Sequence, residues 1–281
     1  MFSIQHYSYH NHTNFSDGDN TIEEMVQHAK QIGFTELGIS DHLIVHKNMG
    51  QSISVPYWQQ QPHGAMFYTD FAKILPMYQK HCKNIRRISQ KEKFKIFIGF
   101  EVDFFTYSGW FEEFKHFLTQ LDYDYVISGN HMLFDENCEN VFDLHSLKAA
   151  FPDKNMQQEY LHRHFTTIKK SVKSGVFKFL AHMDYARKLG DDICGPQSFW
   201  FEKMSILDEL QKNNIAIEIS TKGLRKIGDF YPCKEILNEI AARDITVVIS
   251  DDAHKKAELG LNFDVAENEL LKHSINKRLK L

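Results

Sequence analysis

Cysteines are few in this sequence, and long apolar runs are missing. The four cysteines (Cys82, Cys138, Cys194 and Cys233) lie far apart and form no Cys-x-x-Cys pair, which is typical of free thiols in a reducing cytosol. No apolar run approaches the roughly 20 residues that a membrane span requires. The N-terminus lacks the basic start and apolar stretch of a signal peptide. We therefore expect a cytoplasmic protein with no membrane partner.

An excess of basic residues is also missing. Lys and Arg number 33 against 37 Asp and Glu, so the net charge is −4, and no basic stripe with interleaved aromatics occurs. Both features disfavour nucleic acid as a partner. The 281 residues, 42% hydrophobic and 25% charged, are ordinary for a globular protein of one large α/β domain or two small ones. Histidine and phenylalanine, at 16 and 23 residues, are the unusual entries in this composition.

Seven short apolar segments alternate with amphipathic segments along the chain. Because a helix follows each strand, the alternation predicts a parallel sheet wrapped by helices. The strands are predicted over 1–12, 35–40, 94–100, 123–129, 176–181, 215–220 and 245–250. The helices are predicted over 20–33, from Asp70 with a kink or break at Pro76, over 110–121, 155–174, 198–213 and 231–243 with Pro232 near its start, and from about Lys256.

Seven such units that close on themselves give an α/β barrel with one unit fewer than the common eight. An open doubly wound sheet is the alternative, and it is disfavoured because no Gly-x-Gly-x-x-Gly follows the first strand. No linker or low-complexity tract divides the chain, so we expect one domain over residues 1–281.

Residues 43–69 have weak periodicity and many Gln, Gly and Pro residues, which predicts a long functional insertion loop. Its aromatic residues form either a lid or substrate wall, or a surface cluster that packs down. These aromatic residues are Tyr57, Trp58, Phe67 and Tyr68.

Two His-x-His pairs occur, and their predicted backbone separates them. His10 and His12 lie on an extended segment, where residues i and i+2 point the same way. His162 and His164 lie mid-helix, where two residues rotate the side chain by about 200°. The first pair is therefore predicted to chelate a metal ion and the second is not.

Further candidate ligands stand at the C-terminal ends of the predicted strands. In a parallel barrel these ends meet at one rim, where active sites are built. Histidine mixed with carboxylates, without cysteine, suits Zn, Fe or Mn. A rim of solvated histidines and acids is the alternative. The strand-end candidates are His10, His12, Asp41, His42, Glu101, His131, His182, Asp252 and His254.

These residues lie in motifs that resemble a known family. HNH followed by Asp17, then ISDH, FEVD, GNHM, AHMD and SDDAH, are similar in kind and order to the motifs of the PHP (polymerase and histidinol phosphatase) superfamily. The resemblance spans nearly the whole chain and implies a distorted (β/α)7 barrel. The FIGFEVDF, AHMDYARK and STKGLRK segments are most similar to the stand-alone histidinol-phosphate phosphatases. The resemblance thus implies hydrolysis of L-histidinol phosphate, a step of histidine biosynthesis, by a metal-bridged hydroxide.

The resemblance also implies two or three divalent ions. The first would be held by His10, His12, Glu101 and Asp252, the second by Glu101, His131 and His182, and the third by Asp17, His42 and His254. Asp252 is preferred to Asp251 because it stands two residues before His254, and the reverse assignment stays open. Glu101, Asp252, His254 and Arg187 are the expected catalytic residues.

Substrate contacts are expected from cationic side chains near the rim, namely Arg163, Arg187, Lys222 and Arg225, although a solvated surface charge is the alternative for each. Asp103 or Asp184 is expected either to meet the ammonium or imidazole of the substrate or to orient a ligand histidine. The substrate class is a small phosphate monoester. The alternatives are another phosphoesterase of the superfamily (a phosphodiesterase, exonuclease or protein-tyrosine phosphatase) and an inactive, metal-binding regulatory protein.

Overall fold

The computed structural model describes residues 5–49 and 67–281, and a parallel sheet lies at its centre. Seven strands stand side by side in chain order, each parallel to its neighbour. The strands are β1 (Tyr7–Ser8), β2 (Glu36–Ile39), β3 (Lys95–Val102), β4 (Tyr125–Ser128), β5 (Phe179–Leu180), β6 (Ala216–Ser220) and β7 (Val247–Ser250). The predicted parallel sheet of seven strands is thereby confirmed.

The sheet curves until its first and last strands nearly meet. Near the start of β1, the Gln5 side-chain amide donates to the Ile249 carbonyl at 2.7 Å and accepts from the Ile249 amide at 3.3 Å. Beyond the ends of the two strands, Asn11 and Ala253 form a parallel bridge, in which the His12 amide donates to the Ala253 carbonyl at 2.9 Å. These contacts almost close a seven-stranded barrel, as the sequence predicts.

Helices surround the barrel and bury one apolar face each against it. In the first of them, Met25, Val26 and Ala29 are buried at helical spacing, and Thr21 caps its first turn. The helices are α1 (Ile22–Gln31), α2 (Phe71–Glu92), α3 (Trp110–Leu118), α4 (Lys154–Lys173), α5 (Trp200–Asn213), α6 (Lys222–Ile227), α7 (Leu237–Ala242) and α8 (Phe263–Lys272), with the single-turn helices Leu147–Ala150 and Asp191–Cys194. Each of these helices is too short or too polar to cross a membrane.

A small apolar cluster fills the barrel interior and includes Tyr9, Tyr125, Ile127, Phe179 and Val248. The hydroxyl of Tyr125 donates to the Tyr9 carbonyl at 2.5 Å. The inward-pointing side chains near the strand starts therefore form a packed apolar layer. The polar side chains at the strand ends lie above this layer.

Several predicted boundaries differ from the structure. The helix with Pro76 is continuous from Phe71 to Glu92. Pro76 and Ala72, four residues earlier, are both exposed, so water can replace the hydrogen bond that the proline removes. Pro232 lies before α7, which begins at Leu237, and the last helix begins at Phe263 rather than near Lys256.

The predicted loop 43–69 is shorter than expected. Residues His42–Val45 form a strand that pairs with β3, and Phe67–Tyr68 pairs with that strand in turn. Tyr57 and Trp58 of the predicted lid lie outside the described residues. A hairpin of Met132–Phe134 and Val141–Asp143 was also not predicted, because its strands are too short to show an alternating pattern.

Candidate metal centre

The C-terminal ends of the barrel strands bring the predicted ligand side chains together. His10 and His12 follow β1, His42 follows β2, and Glu101 lies near the end of β3. The remaining strand-end residues are His131 after β4, His182 after β5, and Asp252 and His254 after β7. Asp17 joins them from the loop between β1 and α1, so all nine side chains predicted to hold metal ions meet at one mouth of the barrel.

The Glu101 carboxylate lies at the centre of the cluster. Its Oε1 is 3.2 Å from His10 Nε2, 2.8 Å from His182 Nε2 and 3.6 Å from His131 Nε2. Its Oε2 is 3.3 Å from His12 Nε2 and 3.1 Å from His42 Nδ1. One buried carboxylate is thus surrounded by five imidazole rings.

Two further carboxylates complete the cluster. Asp17 lies between His254 and His42, with oxygen to nitrogen distances of 3.1 and 3.5 Å. Asp252 Oδ1 is 3.3 Å from His12 Nε2 and 3.4 Å from His254 Nδ1. Each acid is therefore shared among histidines that arrive from different strands.

This arrangement suits divalent metal ions. Metal–nitrogen and metal–oxygen bonds are about 2.0–2.2 Å, so neighbouring ligand atoms around one ion stand about 3 Å apart, as they do here. Several buried ligand atoms have no hydrogen-bond partner among the described residues, and bonds to a metal ion would satisfy them. These atoms are His10 Nε2, His12 Nε2, His42 Nδ1, Glu101 Oε2 and Asp252 Oδ1. The overlapping donor sets are His12, Asp17, His42 and His254; His10, His182 and Asp252; His10, His12 and Glu101; and His42, Glu101 and His131.

The electrostatics of the cluster also favour divalent metal ions. Burial alone would raise the pKa of Glu101, yet His10, His131 and His42 hold it well below the usual value. Burial lowers the pKa of His12, but hydrogen bonds to Asp252 and Glu101 raise it to about 9. Against burial, His254 and His42 likewise hold the pKa of Asp17 well below its usual value, and Lys222 and His10 do so for Asp252. The three acids are thus ionised and attract positive charge, which protons supply when no metal ion is bound.

The carboxylates of the two adjacent aspartates, Asp251 and Asp252, lie in different surroundings. The Asp252 carboxylate faces the histidines and lies 2.9 Å from Lys222 Nζ. The Asp251 carboxylate accepts from Ser8 Oγ at 3.0 Å and from the Gly260 amide. Burial raises the pKa of Asp251 to about 7, so Asp251 supports the rim from behind while Asp252 enters the cluster.

Buried acids orient several of these histidines, and sequence reasoning missed the most important one. Glu218 Oε1 is 2.6 Å from His10 Nδ1, and this acid could have been noticed as a charge inside the apolar strand IAIEIS. Asp103 accepts from the His131 amide and lies 3.1 Å from His131 Nδ1. Of the two roles predicted for Asp103, the structure places it where it orients a histidine.

The four predicted cationic residues fall in different places. Lys222 Nζ lies at the cluster, 3.4 Å from His254 Nδ1, whereas Arg225 donates to the Asp251 carbonyl at 2.9 Å. Arg187 is buried against Asp229, with 3.0 Å between charged atoms, and donates to the Phe230 carbonyl. Arg163 forms its ion pair with Glu159 on the same helix. Of these four residues, only Lys222 therefore contacts a residue of the nine-residue cluster directly.

The second His-x-His pair diverges, as predicted. In α4, His162 is exposed and pairs with Glu202 at 2.7 Å, while His164 is buried on the opposite side of the helix. A two-residue step along a helix therefore sends the two rings to different environments.

Fold and site together define an α/β barrel with a cluster of histidines and carboxylates, suited to divalent metal ions, at its C-terminal mouth. The chain belongs to the PHP domain family, whose profile matches residues 8–222.

Two curated relatives carry the name "probable histidinol-phosphatase". The relative from Deinococcus radiodurans is 24% identical over 253 residues, which are 89% of this chain and 86% of that protein. The relative from Clostridium acetobutylicum is 26% identical over 286 residues, which are 96% of this chain and 93% of that protein.

A solved structure has the same fold. It is the histidinol phosphate phosphatase of Lactococcus lactis subsp. lactis, complexed with zinc, L-histidinol and phosphate. It superposes with a TM-score of 0.69 at 18% identity, covering 98% of this chain and 96% of that one.

Proposed function

We propose that this chain hydrolyses L-histidinol phosphate to L-histidinol and phosphate at the metal centre. The observation that carries the proposal is the position of Glu101 among five imidazoles, with Asp17 and Asp252 beside them. The names of the two curated relatives support it. The Lactococcus lactis structure contains zinc, L-histidinol and phosphate. The last two are the products of the proposed reaction, and zinc is a divalent metal ion of the kind that the site suits.

The proposed ligands fall into three sets. His10, His12, Glu101 and Asp252 form one set, Glu101 with His131 and His182 a second, and Asp17 with His42 and His254 a third. Divalent zinc, iron or manganese ions held there would draw a phosphate dianion and lower the pKa of an attacking water. Glu101 belongs to two sets, so it fixes the spacing between them.

The protein's own residues prepare this site for a phosphate ester. Asp103 and Glu218 each accept a hydrogen bond from one ring nitrogen of a histidine, which leaves the other nitrogen for a ligand bond. Lys222 neutralises Asp252 and places an ammonium group beside His254. We expect this ammonium group to contact a phosphoryl oxygen of the bound substrate.

A panel of phosphoesters tests the proposal. The protein loaded with zinc or manganese would be assayed on histidinol phosphate, phosphotyrosine, para-nitrophenyl phosphate and bis(para-nitrophenyl) phosphate. We expect the highest kcat/KM on histidinol phosphate. A preference for the diester or for phosphotyrosine would assign the site to another phosphoesterase, and inactivity on all four would contradict the proposal.

A further inference from the structure

A lysine, a tyrosine and a histidine form a second cluster beside the metal centre. The Tyr185 ring packs against His131 and His182, with centroid distances of 5.2 and 4.8 Å. The Lys188 ammonium lies over the Tyr185 ring, 4.1 Å from its centroid, and donates to its hydroxyl. It also donates to His145 Nε2 at 2.7 Å. Lys188 thus stands one side chain away from two proposed metal ligands.

The surroundings of Lys188 are unusual for a lysine. Two of its three N–H groups are occupied by neutral acceptors, and no carboxylate lies within ion-pair distance among the described residues. Burial, and then the positive charge of Lys222, lower its pKa to about 7, against the opposing charge of Asp252. Two further charges act on the pKa of Lys188: Lys226 lowers it and Asp143 raises it.

We propose that Lys188 is the general acid that protonates the departing alkoxide of the phosphate ester. The inference rests on the proposed function. The proposed ligands at the strand ends would take the phosphoryl group, so the leaving group must point outward from the barrel. Lys188 contacts the exposed His145 on one side and Tyr185, which packs against two proposed ligands, on the other, so it lies between those ligands and solvent. The third N–H of Lys188 is the donor that the ester oxygen would meet.

The proton balance of the step is complete. The water oxygen bonds to phosphorus while the bond from phosphorus to the ester oxygen breaks. The electron pair of the broken bond stays on the ester oxygen, which takes a proton from Lys188 Nζ and leaves as an alcohol. One water proton remains on the phosphate. The other passes to solvent, from which the neutral lysine amine regains a proton.

Leaving-group dependence tests the role. An alkoxide is a poor leaving group and needs a proton, whereas para-nitrophenolate leaves without one. In Lys188→Met we expect kcat to fall by about 100-fold or more on histidinol phosphate, the usual effect of a lost general acid. On para-nitrophenyl phosphate we expect a much smaller loss. Lys188→Arg keeps the charge but does not release a proton near neutral pH, so it should resemble Lys188→Met.

Several results would overturn the role. Equal losses on both esters would make Lys188 a phosphate-binding residue, and recovery in Lys188→Arg would reduce its role to a positive charge. Wild-type inactivity on both esters would overturn the proposed function and, with it, this inference. Equal losses in Lys188→Met with an active wild type would overturn this inference alone, so the two failures are distinguishable. Lys148→Met is the matched control, because Lys148 is exposed and pairs only with Asp192 among the described residues. It should retain wild-type rates.

A second readout does not depend on turnover. The rate of Lys188 acetylation, followed by mass spectrometry across pH on the metal-loaded chain, reports when its amine is neutral. We expect Lys188 to react from near-neutral pH and Lys148 only at alkaline pH. Identical profiles for the two lysines would contradict the inference.

Discussion

Glu218 holds two proposed ligands at once, because Oε1 lies 2.6 Å from His10 Nδ1 and Oε2 accepts from the His182 amide at 2.7 Å. The same carboxylate also accepts from the Ser250 hydroxyl. Because His10 Nδ1 donates to Glu218, its Nε2 points toward Glu101 and is the nitrogen that can exchange its proton for a metal ion. Glu218 therefore couples strand β6, which contributes none of the nine proposed ligands, to the metal centre.

Glu218→Gln should weaken metal binding by about 10- to 100-fold, the usual effect of losing an outer partner of a ligand histidine. A glutamine has only one carbonyl oxygen, so it cannot accept from both His10 and His182. Chelator competition measures the affinity. Glu112→Gln, at a side chain that is 75% exposed, is the control. Equal affinity in both variants would show that Glu218 does not orient His10.

The adjacent aspartates should respond differently to amide substitution. Asp252→Asn removes a proposed ligand charge, so we expect at least one bound ion to be lost in elemental analysis. Asp251→Asn should keep the metal content and lower the free energy of unfolding by about 1–3 kcal/mol, because it disturbs buried hydrogen bonds to Ser8 and Gly260. The opposite pattern would reverse the assignment of the ligand.

Gly129 leaves the space that Glu101 occupies. A Cβ atom at Gly129 would lie 1.9 Å from Glu101 Oε1. Gly129→Ala should therefore displace the central carboxylate and abolish metal binding. Gly175→Ala is a useful comparison, because Gly175 has a positive φ but a Cβ atom added to it would have no neighbour within 4 Å. Gly175→Ala should lower the free energy of unfolding by about 1 kcal/mol while metal binding persists. Metal binding by Gly129→Ala would refute the central position of Glu101.

Metal binding should release protons. The pKa of His12 is raised to about 9 in the metal-free protein, so this ring carries a proton at neutral pH and must lose it to bind a metal ion. Apparent affinity should therefore rise with pH up to about pH 9. Calorimetry in two buffers of different ionisation enthalpy measures the protons released. Identical heats in both buffers would contradict this coupling.

The sequence alone could predict the barrel and the meeting of its strand ends. Strands such as FKIFIGF and ITVVIS are apolar, bounded and followed by a polar side chain, and a parallel barrel sends all such side chains to one rim. The sequence alone leaves open which of Asp251 and Asp252 enters the cluster. The structure decides it, because the Asp252 carboxylate lies beside His12 and His254, whereas the Asp251 carboxylate bonds to Ser8.

Other features depend on tertiary contacts that carry no local pattern. Glu218 stands in the middle of a strand, and only its contact with His10 shows its function. Lys188 follows Arg187 directly, yet Arg187 pairs with Asp229 while Lys188 contacts Tyr185, which packs against His131 and His182. The sequence alone therefore does not show which of these two adjacent cationic residues lies closer to the metal centre.

The central claim is that His10 and its partners hold divalent ions at the barrel mouth, and elemental analysis of purified protein tests it most directly. We predict two or three transition-metal ions per wild-type chain, a lower content in a correctly folded His10→Ala variant, and wild-type content in His162→Ala, whose ring is exposed on α4. A wild-type chain that takes up no ion when zinc or manganese is supplied, or equal content in the two variants, would contradict the account.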